Sequence, residues 1–378
     1  MKLRPKFIPP AVLLAFAFLP SRVHAAALAY SVTDLGTLGG TVSQAYGINA
    51  FGQVAGYSTT TGDVASHEVR WTGTTPTDLG TLGGISNGGY GINSSGQVAG
   101  TSSVAGNTSA GHVVRWTGTT PTELGTLGGT YNGAYGINDS GQIAGFAYTN
   151  NPQSNNFSHA ARWTGTTVED LGTIGGGTRS HGWGINSSGQ VAGYSQITDD
   201  IATHAVRWTG ITGEDLGSLG GDSYGYGINA SGQIAGTSYF TGNTSGSSHA
   251  VRWTGTTVKD LGTLGGTGSE GFGINGSGDV TGMSYVAGNV TEHAFLYTGG
   301  AIYDLFTLLL LGSGVTGLKI EAQGNSINDF GQIAATGTIG GQTHALRLDP
   351  VAAPEPASAV LLLGGGVLLI HRRRTTPT

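Results

Sequence analysis

The chain has 378 residues, 70 of them glycine, with 10% charged residues, 38% hydrophobic residues and a formal net charge of −6. It contains no cysteine, which excludes disulfides and thiolate metal sites, and its low charge and lack of a strict three-residue glycine period exclude a charged disordered polymer and a collagen. Clusters of Thr, Val, Tyr and Trp between the glycines point to many short strands joined by tight turns.

The first element is an export signal. Lys2, Arg4 and Lys6 precede an apolar stretch from Phe7 to Leu19, and small residues at Val23 and Ala25 fit a cleavage site. The apolar stretch is too short for a stable span, although a retained anchor is the alternative reading. Residues 1–25 are predicted to be removed, with cleavage after 25 or 27. Without both ends, the exported body keeps 9 basic and 21 acidic residues, about −12. Such a surface argues against nucleic acid as a partner.

Residues 26–350 are built from repeats. The segment "DLGTLGG" at Asp34 returns, with small changes, at Asp78, Glu123, Asp170, Asp215, Asp260 and Asp304, in steps of 44, 45, 47, 45, 45 and 44 residues. Each period carries a "YGIN" unit, a "GQVAG" unit and an "HAVRWTG" unit in that order. Four strand-like pieces in about 45 residues suit a propeller blade, and no helical 3.6-residue spacing appears. An Asn-x-x-Gly spacing, as at Asn229 and Gly232, predicts a type I turn between the first two strands. Glycine crowding in "YGIN" fits an innermost strand, where blades converge.

The two ends of the repeat region complement each other. The last unit has strand candidates at Ser326–Asn328, Gln332–Ala335 and His344–Leu348 but no fourth, whereas the body begins with an orphan fourth strand at Tyr30–Leu35. The expected fold is therefore all-β: a seven-bladed β-propeller closed by its N-terminal strand, flanked by the signal peptide and a short C-terminal transmembrane segment. An insertion at 305–325 is expected to strain or plug the closure.

Seven histidines share one repeat position: His67, His112, His159, His204, His249, His293 and His344. Equivalent positions on different blades lie too far apart to share an ion, so no metal site is expected and buried hydrogen bonding is. Trp71, Trp116, Trp163, Trp208 and Trp253, each preceded by arginine, are expected to pack between blades. Function is expected where the repeat breaks: Arg179, His181, Asp222, Tyr224 and Glu270, on connections into three consecutive first strands, form the candidate binding rim. No P-loop, serine-nucleophile or zinc-helix motif is present, and no catalytic residue or cofactor is assigned. The alternative is a propeller glycan hydrolase or lyase, with Asp222 and Glu270 as acid and base and Arg179 or His181 stabilising charge.

The recurring "DLGTLGG", "GIN", "GQVAG" and "HAVRW" units, over about residues 34–348, resemble the HAF-type extracellular repeats of bacterial exported proteins. That resemblance implies an extracytoplasmic repeat protein and carries over no catalytic residues. Residues 351–378 are similar to the PEP-CTERM sorting signal of Gram-negative bacteria, through Pro354, Glu355 and Pro356, the apolar stretch 357–370, and Arg372, Arg373 and Arg374. It implies export machinery and an exosortase-type membrane peptidase as partners, processing near the tripeptide, and a cell-surface or extracellular destination, commonly alongside exopolysaccharide. As a helix, fourteen residues rise about 21 Å, against a hydrocarbon core of roughly 30 Å. Such a marginal span suits transient inner-membrane retention, with the arginines on the cytoplasmic side. A simple C-terminal anchor is the alternative. The expected function is a noncatalytic surface or matrix component that binds polysaccharide or an envelope protein.

Overall fold

The computed structural model describes residues 28–150, 157–197, 202–241, 247–322 and 324–352. The predicted signal peptide, the Pro354–Pro356 tripeptide, the transmembrane stretch and the three arginines lie outside these residues. Within them, no helix is long and apolar enough to cross a membrane. Residues Ala29–Val351 group into one compact unit.

The fold follows from one repeated antiparallel group of four strands. In repeat 4, the first strand Gly176–Ile185 pairs with Val191–Ile197, which pairs with Ala202–Thr209, which pairs with Thr212–Asp215. The first strands of repeats 1, 2, 3, 5 and 6 begin at Gly39, Gly83, Gly128, Gly220 and Gly265. The described residues hold 28 strands in five hydrogen-bonded sheets, two of eight strands and three of four. Each eight-stranded sheet is two such groups joined by a single parallel bridge, Val42 with Thr343 or Ser158 with Arg179. This is the all-β architecture of a β-propeller.

The predicted Asn-x-x-Gly turn forms as expected. The N–H of Gly141 donates to the carbonyl of Asn138 at 2.9 Å, and Gly141 takes φ +74°, which favours glycine. The Asn138 Oδ1 accepts from the N–H groups of Ser140 and Gln142, while its Nδ2 donates to the Asn186 carbonyl of the next repeat. Asn49, Asn93, Asn186, Asn229 and Asn328 donate across in the same way, at 2.9–3.2 Å. The Asn328 bond reaches Asn49, so this belt of amides runs from the last repeat back into the first. First strands are crowded where they meet: a Cβ on Gly136 would fall 2.7 Å from the Trp183 carbonyl oxygen.

The other repeated residues join neighbouring groups. Trp71, Trp116, Trp163, Trp208 and Trp253 are fully buried. Trp208, for example, packs with Val191 and Val206 of its own repeat and with Ala144, Ala160 and Leu171 of the preceding one. Arg70, Arg115, Arg162, Arg207, Arg252 and Arg347 each donate through Nη1 to the turn-glycine carbonyl of the following repeat, Gly52 following Arg347 around the ring. The histidines are half-buried rather than fully buried, because their partners lie near the surface. Each Nδ1 is within hydrogen-bonding distance of a carboxylate on the fourth strand of its group, at 2.6–2.9 Å. Most of those carboxylates also accept from the N–H two residues later, as Asp170 does from Gly172, which ties the "DLG" motif to the repeat histidine.

The chain ends meet through the same contacts. Leu28–Asp34 pairs with the third strand of the last group, Gln342–Ala352. His344 lies 2.8 Å from the carboxylate of Asp34, the Leu35 N–H donates to the Ala345 carbonyl, and Tyr30 is buried.

The last group departs from expectation at its first strand. Ser326–Asn328 makes only an isolated bridge, Ile327 with Ile333, and the strand paired with Ile333–Ile339 is Val315–Lys319, inside the predicted insertion. The insertion splits the first strand and sends residues 324–326 inward. There, Asn325 accepts from the N–H of Ile48 through its carbonyl and from the N–H of Ile274 through Oδ1.

Candidate functional site

In an antiparallel group of four, the first-to-second and third-to-fourth turns lie at one end. The second-to-third connection and the link to the next repeat lie at the other, here called the loop end. Alternation along the first strand sends a serine to one face and the next residue to the opposite one. The serine is structural: Ser180 donates to the Gly172 carbonyl and accepts from the N–H of Ala160, and Ser223 and Ser269 do the same in their repeats. The following residue is His181, Tyr224 or Glu270, three of the expected rim residues.

On that opposite face, repeats 3 to 5 carry a continuous series of rings. Tyr131 contacts Phe146 and Tyr148 at centroid separations of 5.8 and 5.7 Å. Phe146 stacks on His181 at 4.1 Å with an interplanar angle of 7°. His181 meets Tyr194 at 5.1 Å, Tyr194 meets Tyr224 edge-on at 5.2 Å, and Tyr224 reaches Tyr239 at 6.5 Å. The Phe146–His181 stack is closer than the usual range of attractive aromatic pairing, and the other distances lie within it. Phe146 is buried and Tyr131 is 48% exposed, so the series opens to solvent at its Tyr131 end.

Polar groups edge this surface. His181 Nε2 lies 3.0 Å from Ser158 Oγ. Burial, aided by the Arg179 guanidinium, pushes the imidazole down to about 4, so it is neutral near pH 7. Asp222 Oδ1 accepts from the N–H of Thr203 at 3.0 Å. Burial, opposed by the Thr203 hydroxyl and aided by the Asp222 charge, holds the Tyr224 phenol above its usual value, and burial raises Tyr194 to about 12. Both tyrosines are hydrogen-bonding hydroxyls at neutral pH.

Arg179, His181, Asp222 and Tyr224 thus belong to one surface. Glu270 lies beyond Tyr239, in a cleft of about 180 Å³ that Tyr239, Met283, Tyr285 and Glu292 also line. Burial and the nearby Glu292 carboxylate raise the Glu270 carboxyl. Its carboxylate neighbour is Glu292, whereas Asp222 is engaged by the Thr203 N–H.

A second aromatic feature escaped the sequence reading. The residue before each Gly-Ile-Asn is aromatic in repeats 1 to 6, and Tyr46, Tyr90, Tyr135, Trp183, Tyr226 and Phe272 form a girdle in which neighbours lie 4.2–5.5 Å apart. Asn325 occupies the corresponding place in the last repeat and, with Tyr135, Trp183 and Tyr226, lines a cavity of about 120 Å³. The sequence signal for this girdle is the aromatic of "YGIN" itself, beside the glycine that marks the crowded strand.

No family model and no curated protein matches the chain. Among solved structures, the β-propeller domain of the Trilobed protease from Pyrococcus furiosus matches at 11% identity with a TM-score of 0.49, covering 69% of this chain and 81% of that one. A putative TolB from Agrobacterium tumefaciens matches at 17% identity and a TM-score of 0.43, covering 64% and 84%. A gluconolactonase from Xanthomonas campestris matches at 10% and 0.42, covering 86% and 92%. Likenesses this distant say nothing of activity, and the architecture rests on the strand pairing described above. Among the described residues, no group of three or more His, Asp or Glu side chains is placed to hold a metal ion.

Proposed function

We propose that the chain is an exported, noncatalytic repeat protein of the bacterial cell surface or extracellular matrix. In this reading the four-strand groups are seven blades of one ring, closed by the N-terminal strand, and the loop-end aromatic surface binds polysaccharide. The observation that carries the proposal is the continuous series from Tyr131 to Tyr239, edged by Arg179, Asp222 and the phenol hydroxyls. Flat rings with hydroxyls at their margins match the alternating C–H faces and hydroxyl edges of sugar rings, and partly exposed rings spread over three repeats suit a chain better than a small ligand. The noncatalytic reading draws support from Glu270 sharing its cleft with Glu292, while Asp222 accepts from the Thr203 N–H on the aromatic surface.

The test is retention and cleavage of a panel of extracellular glycans by the purified mature body. Retention without cleavage is expected. Replacing Tyr194 and Tyr224 together by alanine should remove about 1 kcal/mol per ring contact and weaken binding about tenfold or more. Undiminished retention in that variant would sink the glycan site. Exchanging Asp222 and Glu270 for their amides should leave retention largely intact, whereas loss of a measured hydrolytic activity would favour the hydrolase or lyase reading.

The address belongs to the same proposal. The N-terminal signal commits the body to export, and the tail at Pro354, Glu355 and Pro356, with Arg372 to Arg374 inside, is processed by an exosortase-type peptidase. Intact masses from hosts with and without an exosortase should differ at the C-terminus. Retention of the sequence through Thr378 in both would reduce the tail to an anchor.

A further inference from the structure

The residue before the turn glycine is serine in repeats 2 to 6: Ser95, Ser140, Ser188, Ser231 and Ser277. In repeats 1 and 7 it is phenylalanine, and Phe51 and Phe330 are 75% and 70% exposed. Two large apolar rings at neighbouring turns, where the other five repeats are polar, mark a surface that meets something apolar. Their repeats are adjacent, because Asn328 donates to the Asn49 carbonyl.

These two turns flank the place where the chain leaves the sheet. A Cβ on Gly331, next to Phe330, would lie 3.6 Å from Pro350 Cγ. Arg347, on the departing strand, donates to the carbonyl of Gly52, next to Phe51, at 3.3 Å. The Gln332 amide donates to Asp349 at 2.6 Å. The strand Gln342–Ala352 therefore points its C-terminal end out between the two phenylalanines, away from the loop end.

Only residues 353–356 separate Ala352 from the apolar stretch 357–370 and its three following arginines. Five Cα steps reach at most ~18 Å. An apolar stretch flanked by cations partitions toward a membrane by its own composition, and a tether this short brings the exit face to the lipid surface. We propose that the turn end bearing Phe51 and Phe330 is the face that meets the membrane, with both phenyl rings entering the interfacial layer while the tail is inserted. The flanking side chain of the second turn is Asp329, which accepts from the N–H of Gly276; the contact is apolar and needs no anionic lipid. This inference rests on the membrane reading of the tail.

The test uses the full-length chain reconstituted with zwitterionic vesicles. Trp71, Trp116, Trp163, Trp208 and Trp253 are fully buried, and the partly buried Trp183 in the girdle cavity is common to every chain compared, so an indole introduced at an exposed turn is read as the difference from the unsubstituted chain. The Phe330→Trp chain should co-float with vesicles, shift its emission to the blue on binding, and lose more emission than the unsubstituted chain when the lipids carry brominated acyl chains. Val290→Trp, at a loop-end position 85% exposed, should show neither change. Co-flotation with both indoles quenched alike, or with neither quenched, overturns the facing while leaving the tail inserted. Failure to co-float removes the membrane reading of the tail and the proposal with it. A blue shift that grows with protein concentration in the absence of lipid would assign the pair to a second copy of the chain, and also overturns it.

Discussion

At the residue scale, Glu68 is the sharpest exception to the repeat. Its position holds Val113, Ala160, Ala205, Ala250, Ala294 and Ala345 in the other repeats, and all seven are buried. The carboxyl fills the space that a side chain on Gly89 would take, with Oε1 only 1.5 Å from where that Cβ would be. Among the described residues, neither oxygen has a well-formed hydrogen bond. Burial drives its pKa well above the usual 4.5, an effect that the Gly89 N–H offsets only in part. The folded protein therefore holds a proton that the unfolded chain releases above pH 4.5, so the group's contribution is fully present below that value and falls as pH rises toward its folded pKa. From this one group, stability should drop by about 1.4 kcal/mol per pH unit above 4.5 until the folded carboxyl itself ionises. Glu68→Gln should remove that slope: melting temperatures near pH 4 should match the parent, and those near pH 8 should exceed it. Parallel curves across this range would mean that Glu68 is ionised in the fold.

At the scale of the element, the Asn-x-x-Gly turn is at once a local device and a joint between repeats. Asn186 caps its own turn through Oδ1 and reaches the Asn229 carbonyl through Nδ2. Asn275 makes the same local bonds, accepting from the N–H of Asp279 and donating through Nδ2 to the Asp279 carboxylate as Asn186 does to Gln190, but among the described residues its Nδ2 makes no cross-repeat bond. Alanine at either site loses the cap; only at Asn186 is a buried inter-repeat carbonyl also left without its donor. Asn186→Ala should therefore destabilise more than Asn275→Ala by about 1 kcal/mol, read as a difference in urea midpoints at equal slope. Equal losses would show that the cross-repeat bond adds nothing. The turn was legible in the sequence because Asn and Gly three apart answer to local backbone geometry. The split first strand of the last repeat was not legible, because Val315–Lys319 pairs through a partner across the sheet and its own spelling lacks the glycine rhythm that marked the others. The rim was legible as residues departing from the repeat consensus. The ring series joining them was not, because Phe146, Tyr194 and Tyr239 belong to second strands that are distant in sequence from Arg179, Asp222 and Glu270.

At the scale of the whole molecule, the first described strand and the last complete one another, so the fold depends on contacts more than 300 positions apart, such as His344 with Asp34. Deleting Tyr30–Leu35 should strip that contact together with the Leu35 bond to Ala345 and the buried Tyr30 ring. A large fall in melting temperature and rapid proteolysis are expected; unchanged melting and resistance would show that closure is dispensable. Yet the junction where the chain ends meet is not the sparsest one. It has the amide of Asn328, the guanidinium of Arg347 and the Ser43 bond to Ala345. Between repeats 6 and 7, Leu296 stands where the arginine would be, Ala322 where the serine would be, and the Asn275 amide points elsewhere. Among the described residues, the hydrogen bonds there are irregular ones: the Asn325 and Asp329 contacts, a Thr281–Ser326 hydroxyl pair, the Ile320 N–H to Met283 Sδ, and the Leu310 N–H to the Tyr30 carbonyl. Under load or thermal agitation, the junction expected to part first is therefore one where the backbone is unbroken, with the last repeat swinging out on its linker still fastened to the first. Hydrogen exchange should find Gly265–Ile274 opening at lower free energy than Gly176–Ile185. A pull on the exit strand would then be absorbed as a reversible hinge, with the circle reclosing once the tension is released.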